Sequence, residues 1–468
     1  VIIPHSLAGR KVAILGLGKS GLLAAQALNK SGCNFVAWDD EKKTRNQAKK
    51  YRIPIKNLIK CDFKKIDILI LSPGIPLNFP TPHPVVKRAI SARCKIMSEM
   101  DLLADNVEKA KFIGITGTNG KSTVTALLGA IFSNSGLNTE IGGNIGYPSL
   151  GLKKLTQNGV YVLEVSSYQL DLLSSIKFNI GILINISPDH ISRHGNFRNY
   201  VKIKENIFQN QEYQDFGIIG IDDQVSYKIY KKLKKAKQQK VVPISSNKRV
   251  AGGVYWSKGW LISDIESKKE KIINIQRLRS ITGSHNLQNI AAAVAAALCF
   301  KIDKQAIISN IVKFKTLPHR QENISKRGGI SFINDSKATN IDSTLQALAN
   351  YQNIFWIAGG ESKGENFREI IPFLKNVKHG FFLGKTSNQL HTALKKKLRS
   401  TQVNDLEAAT AQAYAMAKKN LKRNKGKQMS VLLSPACSSL DQWKDFEERG
   451  DAFKRIVKKL LKQSKFDK

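Results

Sequence analysis

The sequence predicts an α/β protein of three domains, and three observations carry that reading. The chain of 468 residues is long for a single core. Apolar runs that read as buried strands alternate along it with stretches of helical period. Two of those runs, from Lys11 and from Lys111, end in glycine loops that open directly into helices. The expected domains are residues 1–99, 100–316 and 317–468.

In the first, Gly16, Gly18 and Gly21 match G-x-G-x-x-G after the strand from Lys11, and an apolar helix follows through Leu28. The next strand, Asn34–Trp38, ends in Asp39 and Asp40 about 20 residues on, so the segment reads as Rossmann-like. Taken alone it predicts a nicotinamide dinucleotide. The loop, however, recognises a diphosphate, and an acidic strand end binds whatever hydroxyl or amide lies there. A third strand, Ile66–Leu71, ends at Ser72, where ligands lie in an open parallel sheet. Asp67, at its other end, reads as structural. The five prolines from Pro73 to Pro84 predict an irregular segment, followed by a helix over Val85–Ile90.

The central domain is organised around Phe112–Ile115, a buried strand, and the loop of Gly117, Thr118, Asn119 and Gly120. Val124, Leu127, Leu128 and Ile131 recur at helical spacing beyond it. Backbone N–H groups of such a loop, with the positive end of the helix dipole, cradle phosphate. Lys121 reaches the terminal phosphates, and Ser122 or Thr123 holds Mg²⁺. The literal P-loop pattern has four residues between its glycines, and here there are two. Glu164, near the end of an apolar strand from Gly159, costs several kcal/mol to bury unless it is paired or binds a cation. It reads as an Mg²⁺ ligand, against a buried salt bridge. Asn144, in a glycine loop, is placed to reach a ligand. Asp189 and His190 end a strand from Ile180, and a helix is expected over Phe197–Phe208.

From Asp222 to Gln276 the lysine-rich chain reads as a small peripheral hairpin without chemistry. Gly283–Asn289 caps an alanine-rich helix, and Ile290–Phe300 suits a core helix. Leu317–Arg320 reads as an interdomain linker. Three further strands, from Ile330, Ile354 and Met429, end in hydroxyls, amides or lysine and predict a second Rossmann-like domain with one shared pocket.

The net charge of +39 fits two classes. A nucleic-acid-binding protein concentrates such charge in a patch; here the lysines are spread, as biased codon usage produces. Five cysteines, an odd count without Cys-x-x-Cys, read as reduced thiols and supply no metal site. No apolar run reaches the roughly 18 residues that span a bilayer. The expected location is the cytoplasm.

The motifs Gly16–Gly21, Ser72-Pro-Gly74, Gly117–Thr123, Gly143–Gly146, Glu164–Gln169, Asp189-His190, Gly283–Asn286, Leu317–Arg320, Asn334–Asn340 and Ser434–Trp443 follow one another as in the Mur ligase family, which the chain resembles over nearly its whole length. The glycine loop at Gly117 is shared with sister ligases and folylpolyglutamate synthases. The first fingerprint, Asn334–Asn340 and Ser434–Gly450 resemble the members that use D-glutamate.

The resemblance implies an ATP-dependent amide ligase that adds D-glutamate to UDP-N-acetylmuramoyl-L-alanine through an acyl phosphate, in peptidoglycan precursor synthesis. It replaces the nicotinamide cofactor by a UDP-sugar on Leu17, Gly18, Lys19, Ser20, Asp39, Asp40 and Ser72. Lys121, His190 and Lys204 become catalytic. Two Mg²⁺ ions are implied, one on Ser122 and Glu164, the other on His190 and a carbamylated Lys204, chosen over Lys202 by the family's spacing from Tyr200. ATP contacts extend from Gly117–Thr123 to His285, Asn289, Arg320 and Asp335. Substrate contacts extend to Asn144, Ser166 and Gln169, and D-glutamate to Lys337, Thr339, Lys363, Ser439 and Phe446. Ser192 stands where the family commonly has Asp. A monomer without specific nucleic-acid or membrane partners is expected. The competing readings are a sister ligase, a folylpolyglutamate synthase-like ligase, or a basic nucleic-acid-binding P-loop protein.

Overall fold

The computed structural model describes residues 2–107, 109–265, 268–278, 284–315, 317–362, 364, 366–423 and 427–463, without the side chains of Ser284 and His285. The chain is α/β, and its strands among these residues form three sheets. They divide into two compact units, one of Val1–Arg279 with Ser284–Phe314, the other containing Lys315–Lys468.

The first sheet holds β1 (Lys11–Leu15), β2 (Asn34–Trp38), β3 (Ile68–Leu71) and β4 (Lys95–Met97) in the order β2-β1-β3-β4, all parallel. β3 starts two residues later than the sequence predicts, because Asp67 instead accepts the backbone N–H of Lys11 at 2.8 Å. Its structural reading holds. The proline-rich segment is irregular, and the helix after it spans Pro84–Ser91, with Pro84 in the first turn where its missing N–H costs nothing.

The second sheet contains β5 (Lys111–Thr116), β6 (Thr139–Gly143), β7 (Val160–Glu164), β8 (Ile180–Leu183), β9 (Phe216–Gly220), β10 (Lys240–Ser245), β11 (Val254–Ser257), β12 (Trp260–Ser263) and β13 (Glu270–Asn274). Its order is β13-β12-β11-β10-β9-β8-β5-β7-β6, parallel from β11 to β6 and antiparallel over β11-β12-β13. The peripheral hairpin expected over Asp222–Gln276 is present as the antiparallel pair β11–β12, but the stretch holds more than a hairpin. This stretch contains a helix, Gln224–Ala236, and its strands extend the central sheet. Its lysines masked the helical period carried by Ile229 and Tyr230, which are buried. The helix expected to Phe208 is α-helical over Phe197–Glu205 and closes in a 3-10 turn. The alanine-rich helix, Ser284–Cys299, buries Ile290 to Ala297 completely, as its composition predicts.

These two sheets share one core. Asp101, buried in a capping box with Ser98, also accepts the backbone N–H groups of Ser174, Ser175 and Ile176. Arg193 donates to the carbonyls of Phe79 and Ile75.

The second unit is built on β14 (Glu322–Arg327), β15 (Ile330–Asn334), β16 (Ile354–Gly359), β17 (Val377–Leu383), β18 (Ser400–Gln402) and β19 (Met429–Leu433), in the order β14-β15-β19-β16-β17-β18. Among the described strands of this unit, only β14 runs antiparallel to its neighbour. The linker reading of Leu317–Arg320 is corrected as well. His319 is buried in this unit, its ring 3.0 Å from Asn334 Nδ2 and its carbonyl accepting the N–H of Lys337. A proline beside a positive-φ residue gave a linker signature to a turn that is fixed by packing.

Candidate active site

β5 lies between β7 and β8, and the three carboxyl ends open on one crevice, the usual ligand position of a parallel sheet. The loop after β5 needs its glycines. Gly117 and Gly120 have φ of 155° and 86°, and a Cβ on Gly120 would lie 2.1 Å from Asn289 Oδ1. That contact places Asn289 against the loop. The loop is braced by Asn185, whose carbonyl accepts from Thr118 N–H and whose Oδ1 accepts from Asn119 N–H at 2.9 Å each. Lys121 Nζ folds over it, donating to the carbonyls of Gly117 (2.9 Å) and Thr118 (2.8 Å).

Below the loop is a buried polar cluster. The Ser122 hydroxyl donates to Glu164, and Asn144 Nδ2 donates to the other oxygen of that carboxylate at 2.8 Å. Glu164 is 2% exposed. A hydroxyl beside a buried carboxylate is an oxygen-rich donor set that suits a hard divalent cation completed by water and phosphate. Lys204 is 1% exposed and donates to Thr116 Oγ1 (3.1 Å) and the Gly117 carbonyl (2.8 Å). Burial, and secondarily the charge of Lys121, pushes its pKa well below the usual lysine range. Lys202, two residues before it, is exposed.

Tyr200 completes this cluster, its hydroxyl 3.1 Å from Thr118 Oγ1 and its ring 5.2 Å from Lys204 Nζ. His190, in the left-handed region at φ 53°, places Nδ1 3.1 Å from the Tyr168 hydroxyl and Nε2 3.6 Å from Asp189. His194, packed against Tyr168 and Tyr200, has its pKa lowered to about 4, by burial first and then by Arg193. It is neutral near pH 7.

In the first sheet, Gly21 lets its helix meet the strand end, since a Cβ there would lie 1.9 Å from the Gly16 carbonyl. Gly18 is different: a Cβ there meets nothing within 4 Å. Asp39 Oδ2 accepts Leu17 N–H at 2.6 Å, and the Ser72 hydroxyl donates to the Gly16 carbonyl at 2.8 Å. The buried Glu99 accepts from the Ser149 hydroxyl at 3.2 Å, with Ser20 close by. Asp40 meets His83 Nε2 at 2.9 Å on the exposed side.

In the second unit, Arg449 gathers the strand ends. It is 3% exposed and donates to Ser336 Oγ (3.0 Å), to the Ser336 carbonyl (2.9 Å) and to the Cys437 carbonyl (3.3 Å). Burial lowers its pKa to about 10. Lys337 Nζ stands 3.8 Å over the ring of Phe446, so these two predicted residues are together. Asp335 is buried, accepting from Ser434 Oγ (2.9 Å) and Gln321 N–H (3.1 Å). Burial raises its pKa to about 7.

Two family models match the chain: the Mur ligase middle domain over residues 115–297 and the Mur ligase, glutamate ligase domain over residues 319–437. The UDP-N-acetylmuramoylalanine–D-glutamate ligase of Phenylobacterium zucineum is 40% identical over 458 residues, 97% of each chain. That of Rhodospirillum rubrum is 37% identical over 98% of this chain and 97% of its own. The chain belongs to the Mur ligase family. Solved folds agree. The pseudomurein peptide ligase type C of Methanothermus fervidus superposes with a TM-score of 0.58 at 19% identity, over 97% of this chain and all of its own. The UDP-N-acetylmuramate–alanine ligase of Thermotoga maritima gives 0.56 at 16% identity, over 97% and 100%.

Within this Mur ligase, Ser166 and Gln169 form the capping box of the short helix Ser167–Leu170. Ser439 is buried at the turn after β19, and its carbonyl accepts from Gln442 and Trp443 N–H. Lys363 and the side chain of His285 lie outside the described residues. Ser192 is exposed. Sequence reasoning missed the positioning residues Thr116, Asn185, Arg193, His194 and Arg449. Arg449 carried one usable signal, a charge three residues after Phe446 on the same helix face.

Proposed function

We propose that this Mur ligase joins D-glutamate to UDP-N-acetylmuramoyl-L-alanine at the expense of ATP, in cytoplasmic peptidoglycan precursor synthesis, acting as a monomer. The choice of substrates is supported by 40% identity over nearly the full length to ligases named for that reaction. The phosphoryl chemistry is carried by one observation: Lys121, Lys204 and the Ser122–Glu164 pair all converge on the turn from Thr116 to Ser122. We assign three domains: a Rossmann-like UDP-sugar domain (1–99), a P-loop-type ATP domain (100–316) and a Rossmann-like amino-acid domain (317–468).

In this reading the loop N–H groups hold the ATP phosphates, and Lys121 leaves its two backbone carbonyls for the γ-phosphoryl oxygens. The L-alanyl carboxylate oxygen attacks the γ-phosphorus, the bond to the β-phosphate oxygen breaks, and ADP leaves. The neutral amine of D-glutamate then attacks the acyl carbon. Phosphate departs with its bridging oxygen, and the nitrogen loses a proton. Positioning and charge neutralisation supply most of the rate.

Ser122 and Glu164 would hold one Mg²⁺; the ion neutralises charge on the phosphate oxygens. Lys204 as an amine is a donor and does not suit a metal. Its lowered pKa favours the neutral amine, which can add to CO₂ with loss of a proton, giving a carbamate whose oxygen, with His190, would hold a second Mg²⁺. Asn289, His285, Arg320 and Asp335 are assigned to ATP. Asn144, Ser166 and Gln169 are assigned to the muramoyl substrate, and Leu17–Ser20, Asp39, Asp40 and Ser72 to the UDP group. Lys337, Thr339, Lys363, Ser439 and Phe446 are assigned to D-glutamate.

Incubation of the protein with ATP, Mg²⁺ and both substrates tests the reading. Mass spectrometry of the nucleotide-sugar product should show one added glutamyl residue in amide linkage, and recovery of unchanged substrate would overturn it.

A further inference from the structure

The antiparallel end of the central sheet carries a cleft that the ligase chemistry does not use. The Trp256 indole donates to the Leu287 carbonyl at 2.8 Å, so that side chain faces the helix Ser284–Cys299. In the register, Trp256 opposes Leu261, while Ser257 opposes Trp260, Tyr255 opposes Ile262, and Ile262 opposes Lys271. Side chains alternate across a strand, so Tyr255, Trp260 and Lys271 share the other face. There they line a cleft of about 430 Å³ together with Arg249, Asp264 and Lys269. It lies five strand positions from β5, roughly 24 Å across the sheet.

Its chemistry is specific. Lys271 Nζ lies 5.2 Å from the Trp260 ring centre, and Arg249 is tethered to the Ser257 hydroxyl at 3.2 Å. Asp264 is 5% exposed, yet its carboxylate accepts no hydrogen bond and forms no ion pair among the described residues. As part of the cleft wall, that carboxylate is placed to accept hydrogen bonds from a ligand. Three cations answer more negative charge than a single carboxylate carries. An indole face beside them suits a planar base, and the volume falls in the range of small-molecule sites.

We propose that this cleft is a second nucleotide site, binding a free nucleoside diphosphate or triphosphate. The base stacks on Trp260, the ribose hydroxyls donate to Asp264, and the phosphates lie against Arg249, Lys269 and Lys271. The proposal is independent of which amino acid the ligase adds.

Photolabelling of the full-length protein with azido-ADP, followed by peptide mapping, tests it. Label is expected on both Gly117–Thr123 and Val254–Ser263. Trp260→Ala, and separately Lys269→Glu with Lys271→Glu, should each cut the second label by about tenfold, the scale of one lost stacking contact. Both should leave the first label intact, which also reports folding. Label confined to the glycine loop, or a strand label that survives both variants, would overturn the proposal. So would displacement by pyrophosphate as effective as that by ADP, which would mean that the base is not read, or displacement by free amino acids.

Discussion

Lys204 Nζ donates to the carbonyl of Gly117 over 2.8 Å, across 87 residues of sequence. A fully buried lysine is tolerated there because backbone and hydroxyl oxygens receive its protons, and because Asp189 and Glu164 partly offset the loss of water. The same burial favours the neutral amine, the form that reacts with CO₂. The Lys204→Ala variant should lose at least about 10²-fold in kcat, as for removal of one preorganised electrostatic group. A short carboxylic acid should partly restore the rate. Full activity in the variant would remove the assigned role.

Gly18 and Gly120 separate binding from folding. Gly120→Ala places a Cβ 2.1 Å from Asn289 Oδ1 at a φ of 86°, and should destabilise the first unit by about 1–3 kcal/mol. At Gly18 φ is −62° and a Cβ meets no protein atom. Gly18→Ala should therefore hold stability within about 0.5 kcal/mol while raising KM for the nucleotide sugar. Thermal melts and steady-state kinetics on both variants check the contrast.

Asp335 makes stability depend on pH. Its folded pKa, about 7, exceeds the unfolded value, so the neutral acid is the form the fold prefers. Its contribution is full below the unfolded pKa of about 3.9 and is lost as pH rises to 7. Relative to Asp335→Asn, the native chain should lose stability, on the order of 2–3 kcal/mol, between pH 5 and pH 8. Urea midpoints at the two pH values measure this, and parallel profiles would contradict it.

Arg449→Lys keeps a charge but loses the fork that holds Ser336 and Cys437 together. We expect KM for D-glutamate to rise by about tenfold, equivalent to about 1.4 kcal/mol, with KM for ATP unchanged. An equal rise in both would mean that the arginine acts on the fold as a whole.

Much of this was legible in the sequence because the relevant signals are local. Gly117 to Ser122 stand within one loop, and Glu164 sits in an apolar strand where a carboxylate needs a reason. The alanine-rich helix announced its own burial. Residues that act across the sequence were harder to read. Arg193 reaches Phe79, and Arg449 reaches Ser336, through contacts that no periodicity encodes. Over Asp222–Gln276 abundant lysine hid an amphipathic helix. At Pro318-His319 a turn fixed by packing against Asn334 carried the same residues that a linker would.

Phosphate release measured with UDP-N-acetylmuramoyl-L-alanine, ATP and Mg²⁺ across a panel of amino acids tests the central claim most directly. The account predicts release with D-glutamate and little with L-glutamate, L-alanine, L-lysine or diaminopimelate. Release with one of those and none with D-glutamate would contradict it.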